Sequence, residues 1–270
     1  MTETDSFWLK DMIVLGQGAP NQISKIGGQQ GRCLCLWSDK TGFVRVYPIP
    51  YGYVHDWEII NVEVRKPTND GRENSYVVLN YEQEWKNLSK RIYAQKEVTS
   101  RGNKVNKKLK RKEQIALLES LAKSTFSQIR DNGKSFGLIK PKTMKFMLKQ
   151  NKETSEAQTT LIDLDYDIMN QNDFAFLPYL QYECDGQCSS KALHEQKIVE
   201  WGAYQWIRQN PNSEEHCMKL KDNYHIGEEN YLHYILIGNI RKYTTTYVVV
   251  KLIRFKIEEE ENAVEENIIA

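Results

Sequence analysis

Residues 32–47 read Arg32-Cys-Leu-Cys-Leu-Trp37, Ser38-Asp-Lys-Thr-Gly42 and Phe43-Val-Arg-Val-Tyr47, and this stretch decides the fold of the first third of the chain. The outer two pieces alternate in apolar character, which is typical of strands with one buried face. The middle piece ends in glycine and supplies a turn between them. Pro48 ends the second strand, because proline has no N–H group to donate to a sheet. An antiparallel hairpin is therefore predicted here.

Further strands are predicted on either side of this hairpin. Met12-Ile-Val-Leu15 is apolar and is interrupted by Gly16-Gln-Gly-Ala-Pro20, whereas Trp57-Glu-Ile-Ile-Asn-Val-Glu-Val64 alternates and ends before Lys66-Pro67. Several short strands with so little helix between them indicate a small antiparallel barrel or sandwich. The glycines match no dinucleotide-binding or phosphate-loop spacing, so we expect them to form turns.

The rest of the chain mixes helices and strands. Helical periodicity places Ile115, Leu118 and Leu121 on one face of a helix, and another helix is predicted from Ala192 to Gln209. Predicted strands include Phe136–Lys142, Met144–Leu148, Leu177–Cys184, Tyr231–Ile237 and Thr244–Ile253. We therefore expect an α+β protein. The expected divisions are a β-rich domain over residues 1–95, a basic helical connector over 96–125, an α+β domain over 126–257 and an acidic tail over 258–270.

The composition is that of a globular protein without a membrane segment. Of the 270 residues, 40% are hydrophobic and 27% are charged, which leaves enough apolar mass for a core. No apolar run approaches the roughly 18 residues that a membrane helix needs. The acidic start Met1–Ser6 lacks the features of a signal peptide. The five cysteines are an odd number and are expected to be reduced thiols, so a cytoplasmic location is predicted.

Reactive chemistry is most concentrated between Cys184 and His194. Cys184 and Cys188 are separated by three residues, which lets two thiolates hold one metal ion across a turn, and His194 follows shortly after. Structural zinc takes four Cys or His ligands at roughly 2.0–2.3 Å, and Cys217 or His216 would complete such a set. Zinc is accordingly a candidate cofactor. One alternative is two free cysteines at a strand end and a histidine on a helix surface, and another is a redox or catalytic role for the thiols.

Two further groups are candidates for catalysis. His194 and Glu200 are six positions apart, so on one helix they lie on different faces and do not form an acid–base pair unaided. Asp163, Asp165 and Asp167 alternate upstream. On one face of a strand they would present oxygen ligands to Mg²⁺, and the alternative is a solvated edge or loop.

A basic tract is the clearest signal of a partner. Between Lys86 and Lys112 there are eleven Lys or Arg and one Glu, whereas six Glu and no Lys or Arg follow Ile257. Such cations neutralise phosphates and release counterions, which gives salt-dependent binding of nucleic acid, and nearby aromatic rings stack on bases. The alternatives are a solvated linker and a segment paired with the acidic tail. The predicted contacts are Lys104, Lys107, Lys108, Lys110, Arg111, Lys112, Trp85 and Tyr93.

Several segments resemble a group of uncharacterised bacterial proteins. The shared features are an Arg-x-Tyr-Pro-Ile-Pro segment at 45–50, the runs at 57–64 and 136–142, a Cys-x3-Cys pair at 184 and 188 followed by Glu200-Trp201, and the strand Leu232–Asn239. The resemblance spans most of the chain. It implies an N-terminal β domain followed by a second domain that carries the cysteines, and no established activity comes with it.

Nucleic-acid binding is the function that these features favour, in bacterial defence or nucleic-acid processing. Two other classes stay open. One is a metal-dependent nuclease or hydrolase that uses the second domain. The other is a protein-interaction module whose basic tract docks an acidic partner. No Ser-His-Asp order, Gly-x-Ser-x-Gly or His-Glu-x-x-His pattern is present to indicate a common hydrolase type.

Overall fold

The computed structural model describes residues 6–151, 174–189 and 193–257. The acidic triplet at 163–167 and the Glu-rich tail lie outside the described residues. The strands within the described ranges are β1 Ser6–Gln17, β2 Asn21–Ile23, β3 Gln29–Ser38, β4 Gly42–Ile49, β5 Ile59–Arg65, β6 Ser75–Val78, β7 Ile92–Ala94, β8 Lys96–Val98, β9 Lys104–Asn106, β10 Phe136–Ile139, β11 Pro141–Gln150, β12 Phe176–Cys184, β13 His194–Lys197, β14 Tyr231–Asn239 and β15 Tyr247–Lys256. The α-helices are α1 Tyr81–Glu84, α2 Arg111–Leu121, α3 Phe126–Asp131, α4 Trp201–Ile207, α5 Glu214–Met218 and α6 Leu220–Asn223, and 3-10 turns cover Ser24–Ile26 and Trp85–Lys90.

Five strands close into a barrel in the order β1, β3, β4, β6, β5. Each strand pairs with the next, and the last strand, β5, also pairs with β1. These five strands therefore form a closed barrel. The pairs are antiparallel except β4 with β6, which run parallel. β1 changes register against β5 between Leu9 and Met12, where Asp11 has a φ of 56°. The first part of β1 pairs with β5, and its last part pairs with β3. Of the two predicted alternatives, a barrel and a sandwich, the barrel is confirmed, although one of its strand pairs is parallel and not antiparallel.

The barrel core follows the alternation of the sequence. Leu34 and Leu36 of β3 and Val44 and Val46 of β4 point inward, and all four are at most 1% exposed. Burying a side chain of this size contributes roughly 1.5–3 kcal/mol. The hairpin at residues 32–47 therefore supplies one wall of the barrel.

The outer face of β3 and β4 packs against the second half of the chain. Cys35 is fully buried there, in a cluster that includes Phe136. The Arg45 guanidinium donates to the carbonyls of Ser135 and Asn239 at 3.2 and 3.1 Å, and it lies 4.0 Å from the centroid of the Phe136 ring. This face of the barrel is thus an internal interface rather than an open surface.

Two three-stranded sheets form the second half. β10, β14 and β15 make one sheet, and β11, β12 and β13 make the other. A parallel bridge between Ile198 and Val249 joins them. Helices α4 and α6 bury apolar side chains such as Tyr204 and Leu220 in the core of this half. The protein is therefore a mixed α+β protein in which strands predominate.

Strands replace helix in two predicted places. Residues 96–106 of the expected helical connector form the β8–β9 hairpin, and the helix that follows is α2. The prediction of a continuous helix from Ala192 to Gln209 was wrong, since β13 comes first and α4 is the helical part. In β13, His194 and Gln196 are buried while Glu195 is exposed. This period of two belongs to a strand, and pairing with β12 stabilises it.

Candidate functional site

One strand pair and one turn bring Cys184, Cys188 and His194 together. Cys184 ends β12, Gly186 turns the chain with a φ of 121°, and Cys188 follows. β13 then runs antiparallel to β12 with His194 opposite Tyr182. The ligand atoms of the two cysteines and the histidine all lie within 4.8 Å of one another. The spacing in the sequence predicted this group, although it placed His194 on a helix.

This Cys/His group fits a metal ion. Ligands bound at roughly 2.0–2.3 Å in a tetrahedron stand about 3.3–3.8 Å apart. The Cys188 Sγ lies 3.2 Å from the His194 Nε2, close to that separation. Two sulfurs and an imidazole nitrogen are donors that zinc favours. The described residues therefore supply three ligands that can hold a metal ion, with a fourth position left for another group.

Neighbouring groups hold these ligands in place. The Phe126 backbone N–H donates to the Cys184 Sγ at 3.3 Å, and the Phe126 ring centroid lies 4.6 Å from that of His194. The Ser127 hydroxyl lies 3.0 Å from the Cys188 Sγ. Burial raises the pKa of the Cys184 thiol to about 11. That thiol therefore stays protonated at neutral pH unless a metal ion displaces the proton.

Cys217, the predicted fourth ligand, is not brought to this group. Its side chain is buried within α5, and its Sγ donates to the Asn210 carbonyl at 3.9 Å. His216, the other candidate, stacks on the Trp206 ring with centroids 4.9 Å apart. Sequence spacing alone could not decide this point, because both residues are distant along the chain and their positions depend on how α5 packs.

Glu200 is a buried ion-pair residue where the barrel meets the second half. Its Oε1 lies 2.6 Å from the Lys251 Nζ, and its Oε2 accepts hydrogen bonds from the Tyr224 hydroxyl at 2.7 Å and the Leu252 N–H at 3.0 Å. The same Lys251 Nζ lies 2.9 Å from the Asp56 Oδ2. Both carboxylate oxygens of Glu200 are occupied, and this carboxylate is not part of the Cys/His group.

Sequence reasoning missed Lys251. It is the single charged residue in the apolar run Tyr247–Ile253, and that isolation is the signal that points to it. Gly16 lets β1 approach, since a Cβ there would stand 2.9 Å from the Lys251 Cβ. Burial alone lowers the pKa of Lys251, but the carboxylates of Glu200 and Asp56 outweigh it and hold the pKa above its ordinary value.

The raised pKa of Lys251 predicts a loss of stability in alkali. A group whose pKa is higher in the folded state stabilises the fold below its unfolded pKa, about 10.4 for lysine, and loses that contribution as pH rises further. We expect the difference in unfolding free energy between the wild type and Lys251→Met to narrow above that pH. Urea unfolding across an alkaline pH series measures it. A difference that stays constant with pH would contradict the assignment.

The basic tract forms the β8–β9 hairpin and the start of α2. Lys108 is exposed, but its Nζ lies 3.5 Å from the Oε1 of buried Glu58. Arg111 donates to the carbonyl of Lys256 at the end of β15. The remaining cations predicted as contacts are exposed and have no ion pair with a carboxylate of the described residues: Lys104, Lys107, Lys110 and Lys112.

The two predicted stacking residues differ in their exposure. Tyr93 on β7 is 45% exposed, and its ring centroid lies 5.6 Å from that of Trp8 on β1, which the sequence did not single out. Trp85 packs against the barrel core and is partly buried. The Lys107 N–H donates to the carbonyl of Gln95, two residues after Tyr93. This hydrogen bond brings the backbone of Lys107 close to the end of β7, the strand that carries Tyr93.

Comparison with known proteins adds one match. Residues 9–108 match the model of a domain of unknown function, DUF8758. The matched range covers the barrel and the β8–β9 hairpin. No curated protein and no solved structure is similar enough to this chain to be matched. The predicted resemblance to a family without an established activity is confirmed. No helix among the described residues is long and apolar enough to cross a membrane.

Proposed function

We propose that the protein binds single-stranded nucleic acid through the β8–β9 hairpin and the start of α2, here called the basic hairpin (residues 96–112). The observation that carries the proposal is a set of four exposed lysines, Lys104, Lys107, Lys110 and Lys112, that no carboxylate of the described residues neutralises. Their charges are available to phosphates. The exposed ring of Tyr93, on the strand that precedes the hairpin, offers a surface on which a base stacks.

The burial of one barrel face directs the proposal to the hairpin. Five-stranded, partly open Greek-key barrels of the OB type bind oligonucleotides on the face of their second and third strands. In this chain the second and third barrel strands are β3 and β4, and their outer face is covered, with Cys35 and Arg45 buried against the second half. Binding at that face is therefore closed off, and the basic hairpin is the open alternative. A fold by itself does not establish a function, so the lysines carry the proposal.

The test is binding of a labelled single-stranded oligonucleotide at low salt, measured by fluorescence anisotropy. Replacing Lys104, Lys107 and Lys110 together with alanine is expected to weaken binding on the order of tenfold or more, because each lysine neutralises a phosphate. The matched control replaces three other exposed lysines, Lys40, Lys221 and Lys242, and leaves the affinity near that of the wild type. Equal losses in both triple variants would show unspecific charge attraction and overturn the assignment to the hairpin.

For the Cys/His group we propose zinc as the metal, held by Cys184, Cys188 and His194. The support is the donor set and its spacing. Such an ion ties the end of β12 to the start of β13 and so stabilises the second half. We also propose a cytoplasmic location, since none of the five cysteines, all of them among the described residues, forms a disulfide, as expected in a reducing compartment.

A second candidate function is metal-dependent hydrolysis, including nuclease activity. Three protein ligands leave one position for a water molecule, the arrangement of catalytic zinc sites. Glu200 would not serve as the base in such a reaction, because Lys251 and Tyr224 occupy its carboxylate. Nucleic-acid cleavage that a chelator abolishes, and that Cys188→Ser abolishes with it, would favour this function over binding alone.

A third candidate is a protein-interaction module in which the basic hairpin binds an acidic partner. Arg111 donates to the carbonyl of Lys256 at the end of β15, and six glutamates follow Ile257 in the sequence. Poly-glutamate serves as the probe. Affinity for poly-glutamate that equals or exceeds affinity for the oligonucleotide would favour this module.

A further inference from the structure

A pocket of about 340 Å³ lies between the barrel and α4, apart from both the Cys/His group and the basic hairpin. Barrel strands β1 and β3 contribute Gln17 and Arg32, and the second half contributes Trp201. The remaining wall comes from the loop between β4 and β5. The polar and aromatic side chains that line the pocket are Gln17, Arg32, Tyr51, His55, Asp56 and Trp201.

Arg32 is a buried cation that forms no ion pair within the described residues. It is 3% exposed, and its one side-chain hydrogen bond within the described residues runs from Nη2 to the Pro50 carbonyl at 3.1 Å. Its Nε has no hydrogen-bond partner, and no carboxylate of the described residues forms an ion pair with it. Its guanidinium lies instead 5.1 Å from the Tyr51 ring centroid and 4.8 Å from that of Trp201. Burial lowers the pKa of Arg32 to about 10. A buried guanidinium with so few partners is costly unless an anion completes it.

The nearby carboxylate of Asp56 partly offsets the effect of burial on the pKa of Arg32 but forms no ion pair with it. Asp56 lines the same pocket, but its Oδ2 lies 2.9 Å from the Lys251 Nζ and its Oδ1 accepts from the Gln17 Nε2 at 2.9 Å. The Oε1 of Gln17, a residue only 6% exposed, has no hydrogen-bond partner. The pocket walls therefore hold an unused donor on Arg32 and an unused acceptor on Gln17.

An aromatic surface stands beside these polar groups. Tyr51 is 72% exposed, so much of its ring is open to solvent. Its centroid lies 5.2 Å from that of Trp201. Flat rings stack on such side chains, and every nucleobase offers a π-face for stacking. A ligand that joins an anion to a flat ring matches both halves of the pocket, and a volume of about 340 Å³ is at the lower end of small-molecule sites.

We propose that this pocket binds a nucleoside monophosphate, with the phosphate at Arg32 and the base against Tyr51. Arg32 supplies charge-assisted hydrogen bonds to the phosphate oxygens, and Gln17 accepts from an amino or imino group of the base. A free nucleotide and the phosphorylated end of a strand share this chemistry. No residue of the basic hairpin lines this pocket. The proposal of nucleotide binding in the pocket can therefore be tested separately from nucleic-acid binding by the hairpin.

Calorimetric titration of the full chain with adenosine monophosphate tests the site, with adenosine and inorganic phosphate as partial ligands. Arg32→Gln is expected to weaken nucleotide binding by about tenfold or more, because charge-assisted hydrogen bonds are lost. Tyr51→Ala is expected to weaken it severalfold by removing the stacking surface. Tyr243→Ala is the matched control, since Tyr243 is 54% exposed beside Lys242 and does not line the pocket.

The outcomes separate the possibilities. No nucleotide binding, or equal affinities in the wild type and Tyr51→Ala, would overturn the proposal even if Arg32→Gln fails to fold, because Tyr51 is exposed and its loss leaves the fold intact. Inorganic phosphate binding as tightly as the nucleotide would also overturn it. A 5′-phosphorylated dinucleotide that binds as well as the mononucleotide would support a strand end, and a weaker one would support a free nucleotide. The triple lysine variant of the basic hairpin should bind the nucleotide normally.

Discussion

Replacing Glu200 with alanine is expected to lower the free energy of unfolding by about 3–5 kcal/mol, the cost of breaking a buried ion pair. The Glu200 carboxylate is 2% exposed and meets the Lys251 Nζ, the Tyr224 hydroxyl and the Leu252 N–H. Without the Glu200 carboxylate, the buried Lys251 ammonium group keeps only Asp56 as an ion-pair partner. The Tyr224 hydroxyl and the Leu252 N–H then lose the acceptor of their hydrogen bonds. Urea unfolding followed by tryptophan fluorescence measures the change.

Glu195→Ala is the matched control for this prediction. Glu195 also pairs with a lysine, Lys149, but both side chains are partly exposed. Exposed ion pairs contribute roughly 0–1 kcal/mol, so this variant should unfold close to the wild type. A loss of less than about 1 kcal/mol in Glu200→Ala as well would contradict the view that Glu200 joins the barrel to the second half.

Replacing Cys184 and Cys188 with serine is expected to abolish zinc binding and to destabilise the second half. The purified wild type should carry about one equivalent of zinc, because the described residues form one Cys/His group. A ligand that binds only the folded state stabilises it by about 4 kcal/mol when its concentration is a thousand times its Kd. Elemental analysis and thermal unfolding, with and without a chelator, measure both effects.

Cys33→Ser is the matched control for the zinc prediction. Cys33 is half-buried, accepts a hydrogen bond from the Arg45 Nη1 at 3.3 Å and lies outside the Cys/His group. This variant should retain its zinc. A wild type without metal after purification in the presence of zinc, or a double variant that retains it, would contradict zinc binding by these two cysteines.

The sequence predicted the hairpin that forms one wall of the barrel because its two strands alternate in apolar character. Leu34, Leu36, Val44 and Val46 all point inward, as a period of two requires. It could not show that the opposite face is covered, since Cys35 and Arg45 meet partners about a hundred or more residues away, among them Phe136. Contacts between distant segments leave no local pattern.

In the candidate sites too, the sequence predicted residues that are close together along the chain but not contacts between distant segments. Cys184 and Cys188 are close in sequence, and a turn brings them together, so their spacing was informative. His194 lies beside the two cysteines because β13 pairs with β12, and the spacing in the sequence does not show this pairing. Arg32 looked like an ordinary strand residue. Its burial between two aromatic rings depends on the loop after β4 and on α4, which no local pattern connects.

The salt dependence of nucleic-acid binding tests the central claim most directly. For single strands the logarithm of the binding constant falls with the logarithm of salt concentration by roughly 0.7 per phosphate neutralised. If Lys104, Lys107 and Lys110 each contact a phosphate, the triple alanine variant should show a slope about 2 units shallower than the wild type. The control variant of Lys40, Lys221 and Lys242 should keep the wild-type slope. No binding at low salt, or identical slopes in the wild type and the hairpin variant, would contradict nucleic-acid binding by the basic hairpin.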